Sequence, residues 1–295
     1  MSATHARKKP FLRLATAAVA MVAALGMAAC SGGASTSSSS SSSAQVGDRS
    51  PEQIKEAGEI VIGIFSDKAP FGYIDADGKP AGYDVVYGDR IAADLGVTAK
   101  YVPVDAAART EVLASNKVDI TLANFTVTPE RAEKVDFANP YFKVSLGVVS
   151  PTSAEITDVS QLAGKTLIVT KGTTAEAYFE ANHPEVKLQK YDQYSDAYQA
   201  LEDGRGDAFS TDNTEVIAWA IQHPGFSVGI KSLGETSYIA AAVKKGNTAL
   251  LDWLNNQLVE LGQENFFHKD YERTLKPVYG RAAKPEELVV EGGAL

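Results

Sequence analysis

Apolar and polar positions change rhythm repeatedly between residues 50 and 280, and the changes follow one grammar. Ser50, Pro51 and Gln53 supply an N-cap, a proline suited to a first helical turn and a capping-box partner, while Gly58 supplies the stop. A short helix is predicted there. Residues 60–65 are apolar and mostly β-branched, as expected of a strand covered on both faces of a parallel sheet. The alternation continues with a helix over 84–95 closed by Gly96, a strand near 100–104, a helix near 109–115 and a strand over 119–124. These are βαβ units. Beyond Pro151 a second set appears: strand 166–169, a helix opening at Thr173 or Thr174, strand 186–191, helix 195–202 and strand 207–210. A further strand over 238–243 precedes a helix with Leu250, Leu251, Leu254, Leu258 and Leu261 at helical spacing. That stripe is ordinary core, expected to pack on the first set. No short period repeats, which disfavours a solenoid.

The N-terminal stretch has a different pattern. Arg7, Lys8, Lys9 and Arg13 precede an apolar run over 14–25 rich in Ala, Val and Leu. A membrane-crossing helix needs about 20 apolar residues, so the shorter run after a basic start predicts a secretory signal over 1–29. Small residues then lead to Cys30, the one cysteine of the chain, which can form no intrachain disulfide. The stretch Gly26-Met27-Ala28-Ala29-Cys30 resembles a bacterial lipobox, although that pattern prefers Leu where Met27 stands. The resemblance implies cleavage before Cys30 and a lipid on its side chain. Ser, Gly, Ala and Thr dominate up to Ala44 and bury too little to offset the entropy of ordering, so residues 30–49 are expected to form a flexible tether.

The chain carries 28 basic and 37 acidic side chains. Removing the four cations of the signal leaves 24 against 37, a net charge of −13. Such a surface repels phosphate backbones and anionic headgroups, so no nucleic acid is expected as a partner, and no membrane contact beyond the Cys30 lipid.

Three segments carry candidate chemistry. In 123–131, a strand end at Asn124 is followed by Thr126, Phe125 beside it, and a Thr128-Pro129 helix start that puts Arg131 in the first turn. Ligands of open α/β sheets sit outside the carboxyl ends of strands, and hydroxyls, N–H groups and a guanidinium fork suit one carboxylate. Spacing alone equally allows Arg131 to pair with Glu130 or Glu133 at the surface. Asp212 follows another strand and suits an ammonium, although capping of the next helix is the blander role. Lys171-Gly172-Thr173-Thr174 opens a helix and offers N–H groups and hydroxyls to an anion. His183 and His223 each precede a proline, and His268 sits in a polar helix. Without cysteine ligands or a paired-His spacing, no metal or other cofactor is implied. Neither a nucleophile elbow nor a serine with recognisable base partners is visible.

Several pieces together resemble the polar amino-acid binding proteins of ABC importers over about 60–280. They are Pro70-Phe71-Gly72-Tyr73, Gly82-Tyr83-Asp84-Val85, Val118-Asp119-Ile120, Thr126-Val127-Thr128-Pro129-Glu130-Arg131, Asp136-Phe137 with Pro140-Tyr141, Gly172-Thr173-Thr174 and Gly204-Arg205-Gly206-Asp207-Ala208. The resemblance implies an α/β fold of the periplasmic-binding-protein type II kind, with two Rossmann-like lobes joined by two hinge strands. Lobe one would span 50–141 plus 239–280 and lobe two 142–238, with 281–295 as a C-terminal tail of no assigned role. It implies that Arg131, Thr126, Thr173 and Thr174 hold the α-carboxylate. Asp212 and Asn124 would take the ammonium, and Phe65, Lys68, Tyr73, Arg109, Phe125 and Tyr141 would wall the side-chain pocket.

Other stretches resemble the cysteine-binding members of that family: residues 64–73, Ala123-Asn124-Phe125-Thr126, Tyr191-Asp192-Gln193, Thr211-Asp212-Asn213-Thr214, and Phe266-Phe267-His268-Lys269 with Tyr271. Lys68 stands where glutamine- and histidine-binding relatives place a ring. Ala108 and Ala241 depart from the subfamily's usual Asn and Pro. The expected function is therefore an exported, lipid-anchored monomer on the outer face of the cytoplasmic membrane. It would bind a free amino acid, cysteine by first choice, and work with an ABC permease and its ATPase. A glutamate- or glutamine-type ligand is the alternative, as is a small-acid lyase on the same scaffold with Glu176 or Asp67 as its acid.

Overall fold

The computed structural model of the protein describes residues 44–294; the expected signal, Cys30 and the tether up to residue 43 lie outside the described residues. Helix α1 (Pro51–Ala57) carries the expected capping box, with Ser50 Oγ accepting from Gln53 N, and ends at Gly58 in the left-handed region. Strand β1 (Glu59–Ile64) follows, then three short strands, β2 (Asp67–Lys68), β3 (Gly72–Ile74) and β4 (Pro80–Ala81), that form a small sheet. Next come α2 (Tyr83–Leu95), β5 (Thr98–Pro103), α3 (Arg109–Ala114), β6 (Ile120–Thr121), α4 (Pro129–Ala132) and the 17-residue β7 (Val135–Pro151). The remainder supplies β8 (Thr166–Thr170), α5 (Thr174–Asn182), β9 (Lys187–Tyr191), α6 (Tyr194–Glu202), β10 (Ala208–Asp212) and α7 (Asn213–Gln222). The 19-residue β11 (Phe226–Lys244) and α8 (Thr248–Gln263) come after these.

The large sheet has the order β5-β1-β6-β11-β7-β10-β8-β9. Three strands at each end are parallel to one another, as the alternation of strands and helices requires. The two long strands are antiparallel partners from Val135↔Lys244 to Pro151↔Phe226. At one end β11 pairs with β6, and at the other β7 pairs with β10. The pair thus passes through both halves, and its register slips at five places between Val228 and Ala242. The slips bend and twist the strands where one half gives way to the other.

The leucine stripe behaves as its spacing predicts. Leu250, Leu254, Leu258 and Leu261 of α8 are buried in one cluster with Ile60, Ile62 and Ile64 of β1. Among the described residues, no helix is long and apolar enough to cross a membrane.

Two expectations need correction. The strand foreseen over 119–124 stops at Thr121, because Ala123 and Asn124 adopt left-handed φ of 32° and 42° and turn the chain. The ordered part begins before Ser50: Gly47 N and Arg49 Nε donate to the buried Asp119 Oδ1 at 3.0 and 2.9 Å. The tail after Arg281 is docked as well. Val290 N donates to Tyr141 O at 3.0 Å, Val289 bridges Phe142, and Glu291 accepts from the backbone of Phe267 and His268.

Candidate functional site

The corner after β6 is built by a carboxylate from another element. Asp84 enters the first turn of α2, fully buried; its Oδ2 accepts Asn124 N at 2.7 Å and its Oδ1 accepts the Tyr141 hydroxyl at 2.6 Å. This holds Asn124 in a backbone conformation that costs a non-glycine residue on the order of 1 kcal/mol or more. From the corner the chain joins the long strands, with Val127 N donating to Tyr238 O and Ala240 N to Phe125 O. The segment that carries the candidate chemistry is therefore bonded to the crossing between the halves.

Thr128 Oγ1 caps α4 by accepting from Arg131 N at 3.2 Å. The Arg131 guanidinium then turns away from the surface acids, donating to Thr126 O at 2.7 Å and to Gly172 O at 2.8 Å. Glu130 pairs with Lys134 instead. Gly172 belongs to the loop before α5, so Arg131 spans from one half of the protein to the other. A cavity of about 580 Å³ lies beside it, bordered by Phe125, Thr128, Gly172, Thr173 and Thr174. Thr173 caps α5, with its hydroxyl accepting from Glu176 N and donating to Thr170 O. Glu176 accepts from Gly172 N and pairs with Lys190.

Arg109 lies deeper, with 3% of its surface exposed. It donates to the carbonyls of Ala106, Ala123, Asn124 and Gly172. The Phe125 ring sits within 4.5 Å of the Arg109 guanidinium and 5.1 Å of that of Arg131, and Phe65 lies 5.3 Å from Arg109. The aromatic faces offset part of the cost of placing two cations together.

On the other side Asp212 ends β10 without capping α7 through its side chain. Its Oδ2 accepts the Lys68 ammonium at 2.7 Å, and Glu215 Oε2 lies 3.2 Å from the same nitrogen. Asn124 Oδ1 at 3.1 Å and the Tyr194 hydroxyl at 3.2 Å complete the cage. Lys68 and Glu215 are each 1% exposed. Asn124 Nδ2 is buried and has no partner.

The charges sit under strong mutual influence. Loss of water pulls the Arg131 pKa down and the neighbouring Arg109 adds to this, while Asp212 opposes it. Burial also pushes the Glu215 carboxyl up to about 7, against the pull of Lys68, with Asp212 adding to the rise. Asp84 is raised by burial to about 6, opposed by its two hydrogen bonds. For Lys68 burial works downward, but the facing acids outweigh it and keep the ammonium charged.

Of the residues singled out from the sequence, Arg131, Thr126, Phe125, Arg109, Asn124, Phe65, Lys68 and Asp212 converge on this one region. Thr174 borders both the large cavity and a smaller one of about 120 Å³ that touches Asp212. Two do not fit the role expected. Tyr141 is fully buried, with its ring stacked on Phe267 at 5.4 Å, and it acts by bracing Asp84 rather than by walling a pocket. Tyr73 lines a separate cavity of about 270 Å³ with Asp67, Tyr198 and Trp219. Asp84, Tyr194 and Glu215 were not singled out as site residues, because each reads locally as an ordinary helix-start residue.

The family model of the bacterial extracellular solute-binding proteins, family 3, matches residues 60–276. A solved structure of a solute receptor for L-cysteine from Neisseria gonorrhoeae is 51% identical; the match covers 82% of this chain and 100% of that one, with a TM-score of 0.81. A cysteine-binding protein from Campylobacter jejuni is 50% identical over 82% and 98% of the two chains, with a TM-score of 0.80. Among curated relatives, the ABC transporter glutamine-binding protein GlnH of Bacillus subtilis is 28% identical over 76% of this chain and 83% of that protein. The two-lobed α/β architecture is common to this chain and its solved neighbours.

Proposed function

This chain belongs to the bacterial extracellular solute-binding proteins of family 3, and we propose that it is a receptor rather than an enzyme. Its ligand is a free amino acid, L-cysteine by first choice, which it delivers to an ABC permease and its ATPase. The observation that carries the reading is the state of Arg131: a guanidinium stripped of much of its water, held only by carbonyl oxygens, beside a second buried arginine. Such a group gains more from a carboxylate than from any neutral partner. The ligand carboxylate rests on Arg131, supported by Thr126, Thr173 and Thr174, and its ammonium is taken by Asp212 with Asn124. Phe65, Lys68, Arg109 and Phe125 enclose the side chain.

Binding begins on the half that carries Arg131, and closure brings the Gly172 loop and Asp212 onto the ligand. The closed form is the signal read by the permease. In the cell the protein is exported, held at the outer face of the membrane by lipid on Cys30, and acts as a monomer. Cysteine is favoured by the two relatives at 50 and 51% identity, whose own ligand is cysteine or L-cysteine.

The test is a thermal-shift and calorimetry panel of the common amino acids with cysteine kept reduced, followed by mass spectrometry of what is released. The expected result is a stabilising, stoichiometric interaction with cysteine and its release unchanged. Stronger stabilisation by glutamate or glutamine would replace the ligand, and chemical conversion would replace the receptor by a lyase.

A further inference from the structure

The two ends of the proposed ligand are prepared differently. Arg131 is held by the carbonyls of Thr126 and Gly172, and Arg109 beside it also bonds carbonyls, so both guanidinium charges are left for a carboxylate. At the other end Asp212 already holds a cation. The Lys68 ammonium lies 2.7 Å from Asp212 Oδ2 and 3.1 Å from Asn124 Oδ1, the two side chains to which the amino-acid reading gives the ligand's own ammonium. The Tyr194 hydroxyl and Glu215 Oε2, each 3.2 Å away, close the shell around it, and Lys68 is 1% exposed. The chain thus supplies an ammonium of its own where an α-ammonium is expected.

The Asn124 amide carries the consequence. An ammonium can only donate, so Lys68 fixes which end of the amide faces it, and the end left over is Nδ2, buried and without a partner. A buried donor of this kind calls for an acceptor, which an ammonium cannot be. An entering amino acid must share Asp212 with Lys68 or push Lys68 onto Glu215. A carboxylate without an amino group faces neither demand: it brings its charge to the arginines and leaves the pair of Lys68 and Asp212 whole.

We infer that the receptor also takes small monocarboxylates that lack an α-amino group, with Lys68 standing in for the missing ammonium on Asp212. This second ligand class rests on the amino-acid reading, since it uses the same Arg131 and Asp212. Without Lys68, a ligand lacking its ammonium would leave Asp212 buried and unpaired, at a cost of about two to four decades in affinity. With Lys68 in place that cost is avoided. At Arg131 the surrounding carbonyls carry no full charge, so a ligand lacking its carboxylate finds no such substitute.

Calorimetry with L-cysteine, 3-mercaptopropionate (cysteine without its amino group) and cysteamine (cysteine without its carboxylate) tests this on the wild-type protein and on Lys68→Met, which keeps the length of the side chain and removes its charge. In wild type, 3-mercaptopropionate is expected to bind within about tenfold of cysteine, and cysteamine at least about a hundredfold more weakly than either. In Lys68→Met, first checked for native circular dichroism, the gap between cysteine and 3-mercaptopropionate is expected to widen at least about tenfold. A wild-type gap wider than tenfold overturns the inference, as does an unchanged gap in a folded Lys68→Met. If that variant does not fold, the wild-type comparison decides alone. Wild-type protein that binds cysteine but not 3-mercaptopropionate leaves the amino-acid reading standing and removes only the second ligand class, whereas wild-type protein that binds neither these ligands nor any amino acid overturns both.

Discussion

The Arg131 guanidinium donates to the Gly172 carbonyl at 2.8 Å, a bond that joins the helix start after the β6 corner to the loop before α5. Arg109 donates to the same carbonyl at 3.2 Å. Two cations from one half therefore meet one backbone oxygen of the other, at the edge of the cavity where a carboxylate is proposed to rest.

Arg131→Ala is expected to abolish amino-acid binding while leaving the fold intact, since the side chain bonds only two carbonyls and packs on one ring. Leaving a ligand carboxylate buried and unpaired costs about 3 to 5 kcal/mol, or about two to four decades in affinity. Calorimetry reads the loss, and wild-type affinity in the variant would remove Arg131 from the site.

Gly172→Ala should act on closure rather than on charge. Gly172 has a φ of +73°, and a Cβ there would sit 2.4 Å from the Ala107 Cα in the facing half. That distance is too short to relieve without moving the backbone. Affinity should fall at least about tenfold, with the melting temperature of the ligand-free protein lowered far less. Small-angle scattering of the variant with ligand should retain the more open form.

Asp270 predicts a pH effect on stability remote from the cleft. Burial raises its pKa to about 8, and its Oδ2 has no partner. An acid whose folded pKa lies above its unfolded value stabilises fully below the unfolded value, near 4, and that contribution is lost as pH rises through the folded one. Wild-type stability should therefore decline between about pH 4 and pH 8. Asp270→Asn removes that component, and denaturant melts at pH 5 and pH 8 should differ by at least ~1 kcal/mol less in the variant than in wild type.

The docked segment before Ser50 gives a fourth test. Asp119 is fully buried and also accepts Val61 N at 2.8 Å, so losing Arg49 leaves a carboxylate with hydrogen bonds but no counter-charge. A protein starting at Ser50, or Arg49→Ala in the longer chain, should be less stable by about 3 kcal/mol in chemical denaturation. Equal stability would return residues 45–49 to the tether.

Much of this was legible in the residues themselves. Capping signals at Ser50, Gly58, Thr128 and Thr173 act locally, and each is found where its side-chain chemistry requires. The leucines of α8 needed only a period, and Asp212 stands at a strand's end as its polar exit indicated. Local signals failed where a distant partner decided the outcome. Asn124 continues an apolar run in sequence, yet turns left-handed because Asp84, forty residues earlier, captures its N–H. Tyr141 reads as a wall residue and ends as a brace beneath that carboxylate.

The alternating elements, the two candidate charges and the family can be read along the chain, since these rest on periodicity, capping and contiguous motifs. Which charges meet is settled by folding. Lys68 faces Asp212 across 144 positions of chain, and Glu215 joins them because folding removes all three from water at once. Desolvation makes such a pairing strong, and no stretch of contiguous sequence records it.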